Sequence, residues 1–181
     1  MTPGALELSD AEGGDSPVDI DVAEARWRAD IPNLETFVER CLAAARAAEE
    51  RIAVGAVSLS FTDDAAIAAL NKTWRGKDRP TNVLSFPAAP MPGPHPPHLG
   101  DIAIAYETVK READAGDLSV KAHTAHMIVH GALHLAGHDH IDDKEADAME
   151  ALETRILARL GYNNPYRGDP GPAGIGETNE H

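Results

Sequence analysis

The chain has 181 residues, enough for one compact domain but too few for two of ordinary size. Its 43% hydrophobic and 25% charged residues are close to the globular average, and no apolar run reaches the roughly 18 residues that a membrane-spanning helix needs. The formal net charge of −14 excludes a protein that coats nucleic acid through overall charge alone.

The ends of the chain and its cysteine content indicate a compartment. The first residues carry neither the basic nor the apolar segment of a secretory signal, and Cys41 is the only cysteine, so we expect a cytoplasmic protein. Residues 1–16 and 165–181 are rich in Gly, Pro and acidic residues. We predict that both are disordered tails and that a single domain spans 17–164.

The first half of the predicted domain alternates strands and helices. Apolar and polar residues alternate at 17–22, which predicts a strand, and apolar residues after Asn33 follow helical spacing. Further strands are predicted at 54–61, 81–86 and 101–105, with helices at 64–73 and near 106–115 and a loop with five prolines at 88–98.

Two longer helices complete the prediction. The first runs over 119–136 and ends at Gly137. The second begins with Asp142 as N-cap and Glu145 three residues later, and it ends at Gly161. We interpret its acidic residues as a solvated outer face. The pattern predicts an α+β fold: a single domain with a small, mostly four-stranded mixed sheet packed with helices.

The segment HGALHLAGHDH at 130–140 predicts a metal site. His130 and His134 are four residues apart, so they project from one helix face with Cβ atoms about 6 Å apart. Gly137 ends the helix and reverses the chain, which brings His140 back towards them. Three neutral imidazoles leave a fourth coordination position open, as at a catalytic Zn²⁺. Ni²⁺ is the alternative ion for such a site.

The spacing of these histidines and of Gly137 is that of the metzincin proteases. Those enzymes carry a glutamate general base directly after the first histidine, where this chain has Gly131. The spacing therefore predicts one metal ion at a helix C-terminus but no protease. We interpret His123 and His126 as core residues or partners of the ligands, and we expect His138 to point away from the ion.

Three segments resemble the YbeY family of bacterial metal-dependent endoribonucleases and rRNA maturation factors: LNKTWRGKDRPTNVLSFP (70–87), LGDIAIA (99–105) and HGALHLAGHDH (130–140). The resemblance implies that 17–164 is an endoribonuclease domain with one Zn²⁺ at His130, His134 and His140 and a functional Arg75. It also implies single-stranded RNA as substrate, 3′-end maturation of small-subunit (16S) rRNA, and ribosome quality control. The small ribosomal subunit and its assembly factors are the implied partners, with no membrane partner.

Residues 71–80 hold four bases and one acid, so an anionic substrate is expected there. An arginine balances charge on a phosphate with two parallel donors, which makes Arg75 the candidate catalytic residue; a structural pairing with a nearby carboxylate is the alternative. Lys77 and Arg79 are candidates for binding the RNA backbone. We interpret Trp74 first as a core residue and second as a surface for stacking a base.

Two other functions remain open on the sequence. One is a metal-dependent hydrolase of another class, such as a peptidase that takes its base from elsewhere. The other is a non-enzymatic ribosome-assembly factor with a structural metal. Activity on peptide or on single-stranded RNA separates the first from a nuclease, and a closed four-ligand coordination sphere would favour the second.

Overall fold

A computed structural model of the protein describes residues 18–94, 97–139 and 141–166. Within these ranges, four strands and seven helices follow one another along the chain. They are β1 (Val18–Val22), α1 (Arg26–Asp30), α2 (Leu34–Ala48), α3 (Glu50–Ala53), β2 (Ala56–Thr62), α4 (Asp64–Arg75), β3 (Val83–Pro87), β4 (His98–Ala105), α5 (Tyr106–Ala115), α6 (Val120–Leu135) and α7 (Asp143–Arg159).

The described strands form one mixed sheet in the order β1-β2-β4-β3. Strands β1 and β4 both run parallel to β2, whereas β3 pairs antiparallel with β4 and lies at the edge. The long connections between the parallel strands are filled by helices, as parallel pairing requires. The predicted single α+β domain with a four-stranded mixed sheet is therefore confirmed.

Side-chain hydroxyls and carboxylates cap the first turns of α4, α6 and α7. The side chain of Asp63 accepts a hydrogen bond from the backbone N–H of Ala66 at the start of α4, and Ser119 does the same for Ala122 in α6. The predicted N-cap Asp142 accepts from the N–H of Glu145 in α7. Each cap satisfies a backbone donor that has no partner within its helix.

Both faces of the sheet carry buried apolar residues, and one face carries many more than the other. Alternate residues of β2, namely Val57, Leu59 and Phe61, belong to the main core, which also contains the apolar sides of α2, α6 and α7. The opposite face carries a smaller cluster in which Ile67 of α4 packs with residues of β3 and β4. The main core therefore lies between the sheet and the helix that carries the predicted metal ligands.

The structure corrects the interpretation of Trp74 and places the other tryptophan in the core. Trp27 is fully buried on α1, where its indole N–H donates to the carbonyl of Thr62 over 3.0 Å. Trp74 is 68% exposed, so its interpretation as a core residue is wrong. Helices α1 and α3 were not predicted. In the three ranges that the structure describes, no helix is both long and apolar enough to cross a membrane.

Candidate functional site

One face of α6 lies very close to the sheet, and this contact sets the direction of its histidines. A Cβ built on Gly131 would lie 3.0 Å from Cγ2 of Ile102 and 3.2 Å from Oγ of Ser85. The Ser85 hydroxyl also donates to the Gly131 carbonyl over 3.3 Å. Gly131 therefore faces β3 and β4; the partly buried His130, one position earlier, projects about 100° away around the helix axis, and His134, three positions later, about 60° away.

The C-terminal end of α6 has the predicted reversal. Gly137 has a φ of +95°, a conformation that favours glycine. Its N–H donates to the carbonyl of His134, and the N–H of His138 donates to the carbonyl of Leu133, each over 3.0 Å. These two bonds form a Schellman motif, which ends the helix at Leu135, one residue after His134. His140 lies outside the described residues, so its place as the third ligand stays a prediction.

The structure brings the other two predicted ligands together. The Nε2 atoms of His130 and His134 are 3.0 Å apart, and their ring centroids are 4.5 Å apart. Two nitrogens that bind one tetrahedral Zn²⁺ at about 2.0–2.1 Å each lie about 3.3 Å from one another. The two Nε2 atoms are therefore already close to the separation that a shared ion requires.

The other ring nitrogen of His130 contacts a carboxylate that the sequence did not single out. Glu153 of α7 is fully buried. Its Oε1 lies 2.6 Å from Nδ1 of His130 and its Oε2 lies 2.9 Å from Nε2 of His126. The hydroxyl of Tyr166 also hydrogen-bonds to Oε2. Tyr166 lies two residues beyond the domain limit of 164 that the sequence predicted.

Glu153 is ionised in this environment. Burial alone would raise its pKa, but the hydrogen bonds from His126 and His130 outweigh burial and lower the pKa to about 2. An ionised carboxylate only accepts hydrogen bonds, so Nδ1 of His130 is the donor in this contact. A neutral imidazole with its proton on Nδ1 has its lone pair on Nε2, the atom that lies nearest to His134 and that a metal ligand of this orientation uses.

Two sets of possible ligands share His130. The first set combines Nε2 of His130 with His134. The second set combines His130, through its Nδ1 side, with His126 and Glu153, and the ligand atoms of these three residues all lie within 4.8 Å of one another. The second set could hold an ion, but its contacts of 2.6 and 2.9 Å are further below the separation of about 3.3 Å between two ligands of one Zn²⁺ than the 3.0 Å of the first set. A carboxylate that accepts from the far nitrogen of a ligand histidine is the usual support of a metal site. The residues present therefore fit an ion on the Nε2 side.

His138 takes part in a different cluster, which agrees with the expectation that it points away from the ion. Its Nε2 lies 2.6 Å from Oε2 of Glu49 and 3.1 Å from the guanidinium of Arg51. The Arg51 guanidinium, more than the His138 contact, holds the pKa of Glu49 at about 2. This cluster ties the segment after α6 to the start of α3.

Arg75 is the last residue of α4, and it reaches the edge strand beside α6. Its guanidinium donates to the backbone carbonyl of Ser85 over 3.0 Å. The hydroxyl of the same Ser85 bonds to Gly131, the neighbour of His130. Within the described part of the chain, no carboxylate lies within ion-pairing distance of Arg75, so the alternative of a structural pairing is not observed.

Arg75 lies between two depressions in the surface. A cavity of about 410 Å³ is lined by the predicted cations Lys77 and Arg79 together with Thr81, Asn82 and Glu112. A larger groove of about 840 Å³ is lined by aromatic Trp74 and Phe86 on one side and by acidic side chains on the other. Arg75 borders both. The three predicted cations are therefore brought together.

Comparisons with known proteins show the family of the chain. The family described as Endoribonuclease YbeY matches residues 20–161. Endoribonuclease YbeY of Rhizobium meliloti is 50% identical over 162 residues, which cover 84% of this chain and 96% of that protein. The Sinorhizobium medicae protein of the same name is 51% identical over 158 residues, 82% of this chain and 94% of the relative. The solution structure of a Thermotoga maritima protein aligns with 22% identity and a TM-score of 0.49, over 83% of this chain and 99% of that one.

Proposed function

Since the chain belongs to the endoribonuclease YbeY family, we propose that it is a metal-dependent endoribonuclease specific for single-stranded RNA. The names of its relatives support the nuclease activity. The observation that supports metal dependence is the 3.0 Å approach of the Nε2 atoms of His130 and His134, with the Glu153 carboxylate on the far side of the His130 ring.

The proposed ligands are His130, His134 and His140, which hold one Zn²⁺ or, as the alternative, Ni²⁺. When bound, such an ion acts as a Lewis acid and makes a nucleophile available from water at neutral pH. His130 and His134 provide neutral nitrogens from one helix face, one turn apart. Gly131, at the position of the metzincin base, has no group that takes up a proton, so the metal itself is the proposed source of the nucleophile.

Arg75 is the proposed catalytic residue of the protein chain. Its hydrogen bond to the Ser85 carbonyl uses one of the five N–H donors of a guanidinium. The remaining donors are available for a paired contact with the phosphate, whose negative charge grows in the transition state. The Ser85 contact holds the guanidinium at the edge strand, which also contacts α6, the helix that carries two of the proposed ligands.

The surface beside Arg75 is the proposed RNA-binding site. Lys77 and Arg79 at the smaller cavity bind phosphates of the RNA backbone, which accounts for affinity without sequence preference. Exposed Trp74 stacks on an unpaired base, and Phe86 lies 6.3 Å from it between ring centroids. A base is free to stack only when it is unpaired, which fits a single-stranded substrate.

The biological role that we propose follows from the resemblance to the family. The chain acts in the cytoplasm in 3′-end maturation of 16S rRNA and in ribosome quality control, with the small ribosomal subunit and its assembly factors as partners. Residues 17–164 form the proposed catalytic domain.

The proposal is tested with purified full-length protein. We expect close to one Zn²⁺ per chain and cleavage of a labelled single-stranded RNA that a chelator abolishes and added Zn²⁺ restores. Duplex RNA of the same sequence and a labelled peptide are the control substrates. We expect His134→Ala to lose metal and cleavage together, whereas His98→Ala, at an exposed histidine of β4, retains both.

Three results would contradict parts of the proposal. Stoichiometric metal after replacement of both His130 and His134 would remove the metal site. Cleavage of the peptide alone would indicate a peptidase. A metal-loaded protein that cleaves neither substrate would favour a non-enzymatic assembly factor.

A further inference from the structure

Glu153 is a buried carboxylate with three hydrogen-bond donors around it. His130 Nδ1 donates to Oε1, and both His126 Nε2 and the Tyr166 hydroxyl donate to Oε2. The donors come from two places: His126 and His130 are one turn apart on α6, and Tyr166 follows α7. The carboxylate is thus fixed from two sides, and it cannot rotate without breaking one of these bonds.

The polar contacts of Glu153 in the described ranges are two histidines and a tyrosine. No lysine or arginine nitrogen of these ranges lies within ion-pairing distance of its carboxylate. A buried polar group is costly unless it is hydrogen-bonded, so these three contacts both satisfy the carboxylate and fix its orientation.

We propose that Glu153 is a positioning residue for the metal site: it holds His130 in the tautomer and ring orientation that direct Nε2 at the ion, and His126 and Tyr166 hold Glu153. The inference rests on the proposed metal site at His130 and His134. Glu153 of α7 and Tyr166, which follows α7, thereby support a site whose proposed ligands come from α6 and from the segment after α6. Glu153 does not touch the substrate in this arrangement and acts only through His130.

The test is the metal affinity of Glu153→Gln in the full chain. The amide has one acceptor oxygen, and its NH₂ group would face the N–H of either His126 or His130. We expect Zn²⁺ to bind about 10- to 100-fold more weakly in a competition with a chromogenic chelator. The visible absorption bands of the Co²⁺-substituted protein are expected to shift as well, because the orientation of one ligand changes. Asp147→Asn, an exposed change on the same helix, serves as the control and keeps the wild-type affinity and spectrum.

A second variant, with a smaller change to the side chain, tests the inference even if Glu153→Gln does not fold. Tyr166→Phe retains the ring that packs on His126 at 5.4 Å but removes the hydroxyl donor. We expect a smaller loss of Zn²⁺ affinity in the same direction. If Glu153→Gln does not fold, this variant decides the question, and wild-type affinity in Tyr166→Phe then overturns the inference.

The outcomes separate the inference from the proposed metal site. Unchanged Zn²⁺ affinity and Co²⁺ spectrum in Glu153→Gln, with a lower melting temperature of the metal-free protein, would show that Glu153 is only structural. Wild-type metal content in His134→Ala would overturn the metal site itself. If that variant keeps its metal while Glu153→Gln loses it, the ion binds between His126, His130 and Glu153, and the positioning role is wrong.

Discussion

The guanidinium of Arg75 donates a hydrogen bond to the backbone carbonyl of Ser85, with 3.0 Å between nitrogen and oxygen. Strand β3 lies at the edge of the sheet, and Ser85 is in contact with α6 through its hydroxyl. The end of α4 and the helix that carries His130 and His134 therefore contact the same residue of the edge strand, although more than fifty positions separate Arg75 from His130 in the sequence.

This placement gives a prediction for Arg75. We expect Arg75→Ala to lower the rate of RNA cleavage on the order of 10²-fold, because a donor pair to the phosphate is lost in the transition state. Metal content and melting temperature are expected to change little, since guanidinium offers no lone pair to a metal. Single-turnover cleavage at equal Zn²⁺ loading measures the effect.

A conservative variant and a matched control define the role further. Arg75→Lys is expected to recover only part of the rate, because ammonium keeps the charge but loses the planar donor pair. Arg28→Ala, at a surface arginine paired with Glu35, is expected to cleave at the wild-type rate. If Arg75→Ala cleaves as fast as wild type, the basic segment is a docking surface instead.

Lys77 and Arg79 are expected to act on binding rather than on chemistry. Removal of both charges by a double alanine variant is predicted to raise KM and leave kcat nearly unchanged. The slope of log affinity against log salt is expected to fall by about 1.4, since each phosphate contact to a single strand contributes about 0.7. An unchanged slope would exclude phosphate contacts at these two residues.

The two tryptophans are expected to respond in opposite ways. Trp74→Ala removes an exposed ring, so we expect weaker RNA binding by about 1–3 kcal/mol and an unchanged melting temperature. Trp27→Ala removes a fully buried ring and is expected to lower the free energy of unfolding by about 3–5 kcal/mol. Fluorescence-anisotropy titration and urea denaturation measure the two effects. Equal RNA affinity in Trp74→Ala would exclude base stacking there.

Cys41 gives a prediction about pH. Burial raises the pKa of its thiol from 9.0 to about 12, so the folded protein keeps the proton at a pH where the unfolded chain loses it. The contribution of the thiol to stability is therefore present below pH 9 and lost as the pH rises towards 12. We expect the stability difference between wild type and Cys41→Ala to shrink over that range in urea titrations. A constant difference would contradict the raised pKa.

The sequence predicted the elements that have strong local signals. Asp142 was predicted as a cap from the capping-box pattern with Glu145, and its side chain does accept from the N–H of Glu145. Gly137 was predicted as a helix end because glycine permits a reversal, and its φ is +95°. Helix α1 was missed because it has only five residues and its N-cap, Ala25, has no side chain that bonds to the backbone.

The candidate site was predictable only where its residues are close in sequence. His130 and His134 followed from their spacing on one helix. Glu153 was missed because its contact with His130 joins two helices across 23 positions, and the acidic residues of α7 were interpreted together as a solvated face. The helical spacing does contain a signal for its burial, because Glu153 lies four residues after Met149 and therefore on the same buried helix face.

The close packing at Gly131 also limits how the chain can change. Any side chain at this position would displace Ile102 and Ser85, so a single Gly131→Glu exchange would wedge α6 away from the sheet instead of adding a protease-like base. To acquire that chemistry, a lineage would first have to remodel β3 and β4 around the helix. The two catalytic solutions built on this histidine spacing are thus separated by several coordinated substitutions, and an engineer would face the same barrier.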